Sequence, residues 1–135
     1  QEKKIVKKLK PLQDVGLGYI KLGQTSSTLS GGENQRVKLA YYLGQEKQEP
    51  TLFVFDEPTT GLHPADIGHF LKLLLRLRDA GHTVIVVEHN PQLIRACDWV
   101  IDLGPQGGDQ GGQLMFAGTP QALKAQGESA TARYL

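Results

Sequence analysis

Cysteine, methionine and tryptophan each occur only once in the 135 residues. A lone cysteine, Cys97, excludes an intramolecular disulfide and any zinc cage built from cysteines of this chain. An excess of charge of one sign is missing as well. Lys plus Arg number 15 against 14 for Asp plus Glu, so the net charge of +1 points to no anionic partner. Long hydrophobic runs are also absent. The apolar stretches at residues 51–55 and 83–87 fall far short of the ~20 residues that a membrane-spanning helix needs. No basic-then-apolar opening marks a secretory signal. With 39% hydrophobic residues, the expectation is a soluble domain with one modest core. The first residue is Gln1 and the only methionine is Met115, which suggests a fragment or a processed chain.

The opening, residues 1–14, sets five lysines around Ile5, Val6, Leu9 and Leu12 at helical spacing. Pro11 should interrupt or kink that helix. Its lysines read as a solvated face, with nucleic-acid contact as the alternative. Residues 16–28 read as a loop containing a short extended piece at 19–22. A helix is expected from about Gly31 to Gly44, then a polar connection over 46–50. Residues 52–55 (LFVF) suit a strand buried on both faces. A helix should follow from Pro64 to about Ala80, with a stripe of Leu71, Leu74, Leu75 and Leu77 and a stop at Gly81. Residues 83–87 form a second buried strand. Asn90 and Pro91 cap and start a short helix ending near Cys97. A third strand over 99–103, a glycine-rich turn over 104–112 and a fourth strand over 113–117 come next. Thr119 and Pro120 then open a last helix by the same cap-and-proline device. Alternating strands and helices predict an α/β fold with a mostly parallel sheet. In such sheets, ligands sit beyond the carboxyl ends of the strands.

The residues just past each apolar run therefore matter most. Asp56 and Glu57 follow the first strand directly. A strand that ends in a carboxylate can hold Mg²⁺, directly or through water, and the next acid can orient an attacking water. Two solvated acids at a strand end are the plainer reading. Leu29, Ser30, Gly31, Gly32 and Glu33 open a helix, and the S-x-x-E spacing of Ser30 and Glu33 is a capping box. Capping alone does not call for two glycines in a first helical turn, where each costs roughly 1 kcal/mol against Ala. Bare backbone N–H groups there suit a phosphate. His89 follows the second strand, where an imidazole can meet a γ-phosphate; a plain loop histidine is the alternative. Thr59, Thr60, Gly61, Leu62 and His63 link the first strand to its helix, either as a simple loop or along a subunit or domain contact.

Taken together, these motifs resemble the ABC ATPase family. Residues 29–33 look like its signature, continued by Gln35, Arg36, Val37, Lys38, Leu39 and Ala40. Residues 52–57 look like Walker B with the catalytic glutamate, Thr60 to His63 stand where the D-loop lies, and His89 stands at the switch histidine. Within that family, residues 22–28, Glu33 in the signature, Gly61-Leu62-His63, residues 102–105 and Gly118-Thr119-Pro120 resemble the UvrA branch, which serves nucleotide excision repair. The resemblance implies a partial ABC-ATPase core spanning residues 1–135, the C-terminal part of a second nucleotide-binding module. It implies ATP and Mg²⁺ as ligands, with Asp56 on the metal and Glu57 and His89 catalytic. Ser30, Gly31, Gly32 and Glu33 would contact ATP held by another module. Implied partners are the other module of the same polypeptide, a second subunit in a dimer, damaged double-stranded DNA and a UvrB-type helicase, in the cytoplasm and without a membrane. No G-x-x-x-x-G-K-[ST] phosphate loop occurs in the chain. The Q-loop and the cysteine zinc modules of that branch are absent too, so nothing here supports zinc. They are expected upstream of Gln1, and the isolated chain is expected to be inactive. A transporter nucleotide-binding domain and a non-enzymatic scaffold are the rival readings. Glu33 and Gly61-Leu62-His63 weigh against the transporter, while intact Asp56, Glu57 and His89 weigh against the scaffold.

Overall fold

The computed structural model describes residues 1–45 and 49–135, so most of the polar connection expected over 46–50 lies outside the described residues. The chain divides into two compact units, Gln1–Glu88 and His89–Leu135.

In the first unit, helix α1 spans Glu2–Asp14 and runs through Pro11 without stopping. It buries no residue, and an ion pair from Lys10 to Asp14 at 3.1 Å lies on its solvated face. Residues 19–22 are not extended. Backbone bonds from Ile20 N–H to Leu17 O and from Gln24 N–H to Lys21 O close turns there instead, and no strand lies alongside among the described residues. Helix α2 spans Gly31–Leu43 and buries Gly32, Arg36, Leu39 and Ala40, the i, i+4, i+7, i+8 face of a helix.

Strand β1 (Leu52–Asp56), helix α3 (Pro64–Asp79) and strand β2 (Thr83–Val87) form a β-α-β unit. Its strands pair in parallel, Leu52 with Thr83 through Asp56 with Val87. The His63 ring accepts from Ala65 N–H at the start of α3, Pro64 fills the first turn, and Arg76 and Arg78 sit in the last. Gly81, at φ +95°, makes the reversal into β2. The buried stripe of α3 is Ile67, Phe70, Leu73, Leu74 and Leu77; Leu71 and Leu75 of the expected stripe are only half-buried. The stripe turns toward β1, where the rings of Phe55 and Phe70 meet edge to face.

Among the described residues of this unit, only one face of the sheet is covered. Phe55 is buried, whereas Leu52 and Val54 are 59% and 63% exposed and Ile85 and Val87 are 50% and 52% exposed. Burial on both faces is therefore not observed. In this unit α3 covers one side, and parallel strands ordinarily have both sides covered.

In the second unit, helix α4 (Pro91–Ala96) is capped by Asn90, whose side-chain oxygen accepts from Gln92 and Leu93 N–H. Strands β3 (Val100–Gly104) and β4 (Gln113–Gly118) pair antiparallel. A parallel crossover needs about a dozen residues or more, and residues 105–112 suffice only for a hairpin turn. The parallel part of the fold is thus the β1–β2 pair. Helix α5 (Pro120–Gln126) starts at the Thr119 cap and ends at Gly127 in the left-handed region. Leu123, Ala132 and Leu135 form the core of this unit, with Ile94, Val100 and Phe116 packed on them. No helix among the described residues is long and apolar enough to cross a membrane.

Candidate functional site

The carboxyl end of β1 is the place where the first unit concentrates polar groups. Asp56 is the last strand residue, and its side chain is exposed. Glu57 is also exposed and is the one non-glycine residue at positive φ among the described residues, at +46°. That conformation costs about 1–3 kcal/mol and persists only where its surroundings enforce it. The enforcement comes from two sides.

One side is β2. Glu57 N–H donates to Val87 O at 2.9 Å, which extends the parallel ladder by one bond. Two residues on, the Glu88 carboxylate accepts from Thr59 N–H at 3.1 Å and from the Thr59 hydroxyl. The other side is α2. The Gln35 amide pairs with the backbone of Asp56 in both directions: Asp56 N–H donates to Gln35 Oε1 at 2.8 Å, and Gln35 Nε2 donates to Asp56 O. Arg36, fully buried, donates to Pro58 O and, at 3.2 Å, to Thr60 O. Burial pulls its pKa below the usual guanidinium range, opposed by Tyr19 and Glu33. Gly32 lies so close to this loop that a Cβ would stand 2.9 Å from Thr60 O, 3.1 Å from Pro58 O and 3.2 Å from Glu57 O.

The start of α2 is a complete capping box. Ser30 Oγ accepts from Glu33 N–H at 3.2 Å, and Glu33 Oε2 accepts from Ser30 N–H at 2.7 Å. The Tyr19 hydroxyl donates to the same carboxylate. That hydroxyl, and then the Ser30 N–H, hold Glu33 below the usual carboxylate range. A Cβ on Gly61, itself at φ +81°, would lie 3.6 Å from Ser30 Oγ and 3.8 Å from Glu33 Oε1. Ser30, Gly32 and Glu33 therefore share one neighbourhood with Asp56, Glu57 and the loop to Gly61. The two glycines of α2 have different roles. Gly32 answers to close packing within this chain, whereas Gly31 is exposed and a Cβ there would meet nothing within 4 Å among the described residues. His89 is exposed and opens the second unit, one residue after Glu88.

Sequence reading singles out Asp56, Glu57 and the Ser30–Glu33 box but misses the groups that hold them. Gln35, Thr59 and Glu88 act through side-chain bonds to backbone or hydroxyl partners 21 to 29 residues away, which no local spacing announces. Arg36 does carry a signal, since it falls on the inward face of α2 with Gly32, Leu39 and Ala40, where a charge must find partners.

As to ligands, no group of three or more His, Cys, Asp or Glu side chains gathers among the described residues. Mg²⁺ does not require one, because it commonly binds through one or two carboxylates with water and substrate phosphates supplying the rest. An exposed Asp56 at a strand end, its backbone fixed by Gln35, fits that donor set.

No family model matches the chain. The chain is 55% identical over 131 residues to UvrABC system protein A of Haemophilus influenzae, covering 97% of itself and 14% of that protein. Among solved structures it superposes on UvrA2 from Deinococcus radiodurans with a TM-score of 0.86 at 48% identity, over 100% of this chain and 17% of that one. The dimeric bacterial ABC transporter cassette MJ0796 gives a TM-score of 0.55 at 28% identity, over 74% of this chain and 42% of that one. The chain thus spans 13–14% of the length of the curated relatives it matches, and its fold is that of part of an ABC ATPase core.

Proposed function

We propose that this chain, the counterpart of a C-terminal segment of UvrA proteins, is the part of a nucleotide excision repair ATPase that carries out ATP hydrolysis jointly with segments outside it. The observation that carries the reading is Glu57, held at φ +46° directly after the strand-end Asp56. Hydrolysis of a phosphoanhydride demands positioning and charge stabilisation more than covalent help from the protein. Asp56 takes the metal-binding role, and the bound Mg²⁺ supplies charge neutralisation on the phosphates. Glu57 orients and polarises water in line with the γ-phosphorus. His89, on sequence position alone, is assigned to the γ-phosphate.

Ser30, Gly31, Gly32 and Glu33 take the signature role toward ATP held by another module. Of these, Gly31 presents open backbone at the N-terminus of α2, where the helix dipole favours an anion. Glu33 supports that turn as the capping partner of Ser30. The full-length protein works as a dimer on damaged double-stranded DNA with a UvrB-type helicase, coupling ATP turnover to damage recognition. The transporter reading is weaker on the chain's own likenesses: 48% identity and a TM-score of 0.86 to UvrA2 against 28% and 0.55 to the transporter cassette.

The isolated chain, lacking a G-x-x-x-x-G-K-[ST] loop, neither binds Mg-ATP tightly nor hydrolyses it. In the full-length ATPase with its other module disabled, Glu57→Gln lowers ATP turnover and leaves nucleotide binding largely intact. Stoichiometric, micromolar Mg-ATP binding to the isolated chain in calorimetry, or undiminished turnover in that variant, defeats the reading.

A further inference from the structure

Glu57 is tied to β2 through its own N–H, and the residues on either side of it are bonded to the second turn of α2. We propose that Gln35 and Arg36 are positioning residues for Glu57: their side chains clamp the backbone of residues 56, 58 and 60 against α2 and so fix where the Glu57 carboxylate stands. The inference rests on the proposed role of Glu57 and adds to it the parts that aim the carboxylate.

Three observations support it. Gln35 satisfies both backbone groups of Asp56, the residue immediately before Glu57, with N–H to Oε1 at 2.8 Å and Nε2 to O. Arg36 spends its bonds on Pro58 O and Thr60 O, so the carbonyls on the far side of Glu57 are also tied to α2. Gly32 allows this closeness, since any side chain there meets the carbonyls of Glu57, Pro58 and Thr60 within 3.2 Å. A loop residue in the left-handed region, which for Glu is unfavourable by itself, is thereby bracketed by bonds on both sides. The arginine is well suited to this place. Its planar fork presents donors in fixed directions toward two carbonyls, which a lysine ammonium cannot reproduce. It is also costly to bury: Nε and the second terminal nitrogen of Arg36 have no hydrogen-bond partner among the described residues. A buried guanidinium left partly unsatisfied is a poor device for stability and a good one for holding a strained neighbour in register.

Misplacing a reacting group by about 1 Å costs roughly a hundredfold in rate. Arg36→Met strips donors from two carbonyls inside the fold, so that variant tests folding as much as function. Gln35, half-buried, is the cleaner handle. Gln35→Met keeps the length of the side chain and removes both bonds to Asp56. In the full-length ATPase with its other module disabled, Gln35→Met is expected to lower kcat about ten- to a hundredfold, with the KM for ATP within about threefold of wild type. In a Glu57→Gln background the same substitution is expected to lower kcat no further, because its effect passes through the glutamate. An unchanged kcat in Gln35→Met, or an equal fall in both backgrounds, overturns the positioning role while leaving Glu57 in place. Undiminished turnover in Glu57→Gln alone overturns the reading of the site, and this inference with it.

Discussion

Adjacent glycines at the start of α2 give a sharp physical contrast. At an ordinary helical position, Gly→Ala stabilises by about 0.5–1 kcal/mol, because Ala has less backbone freedom to lose on folding. Gly31 meets that condition, with nothing within 4 Å of its would-be Cβ. Gly32 does not. Its would-be Cβ stands 2.9, 3.1 and 3.2 Å from three carbonyl oxygens of residues 60, 58 and 57. All three are backbone atoms, none can swing aside, and two of them already accept from Arg36. Overpacking of this kind costs about 1–3 kcal/mol, which outweighs the propensity gain and leaves a net loss of about 1–2 kcal/mol. For a chain of this length that is a fall of about 4–8 °C in Tm. Gly31→Ala should leave Tm unchanged or raise it by about 1–3 °C. Thermal unfolding of both variants beside the wild type, followed by far-ultraviolet circular dichroism at matched concentration, separates the two cases. Equal behaviour of the two alanine variants refutes the close approach of α2 to the Glu57 loop.

Two further outcomes follow from charge and exposure. The Glu33 carboxylate has a lowered pKa in the folded chain, first through the Tyr19 hydroxyl and then through Ser30 N–H, so its contribution is present above the unfolded value of about 4.3 and is lost as pH falls through the lower folded value. Tyr19→Phe should therefore cost stability at pH 6–7, and that deficit should shrink in the acid limb below about pH 4, as read from urea unfolding at several pH values. Val54 and Ile85 are register partners on the bare sheet face, 63% and 50% exposed, and an uncovered apolar face promotes association. Val54→Lys with Ile85→Glu should lower the self-association of the isolated chain in sedimentation velocity without lowering its Tm; unchanged association removes that face as the cause.

Local chemistry made most of the helices legible. The S-x-x-E box of Ser30 and Glu33 forms as a reciprocal pair, and the Asn90-Pro91 and Thr119-Pro120 devices start α4 and α5 where the residues imply. Long-range pairing was less so. The apolar run of β1 reads as buried on both faces, yet Leu52 and Val54 face outward, because an apolar run records the burial a strand requires and not whether this chain supplies it. Likewise, the pattern of strands does not announce that β4 returns antiparallel on β3, which only the length of the 105–112 connection requires. At the candidate site, Asp56 and Glu57 are visible as a strand ending in acids. Of their supports, Arg36 shows itself only as a charge on the inward face of α2, while Gln35 and Glu88 leave no periodic trace, since each bonds to a partner far along the chain.

The most direct measurement is a structure of the full-length protein trapped with Mg-ADP and a planar γ-phosphate mimic. With this segment in its working place, the Glu57 carboxylate should lie within about 3.2 Å of the in-line water, Asp56 on the metal directly or through one water, and His89 within hydrogen-bond reach of the mimic. A trapped complex in which Glu57 points away from the apical water, with another group in its place, would contradict the account at its centre.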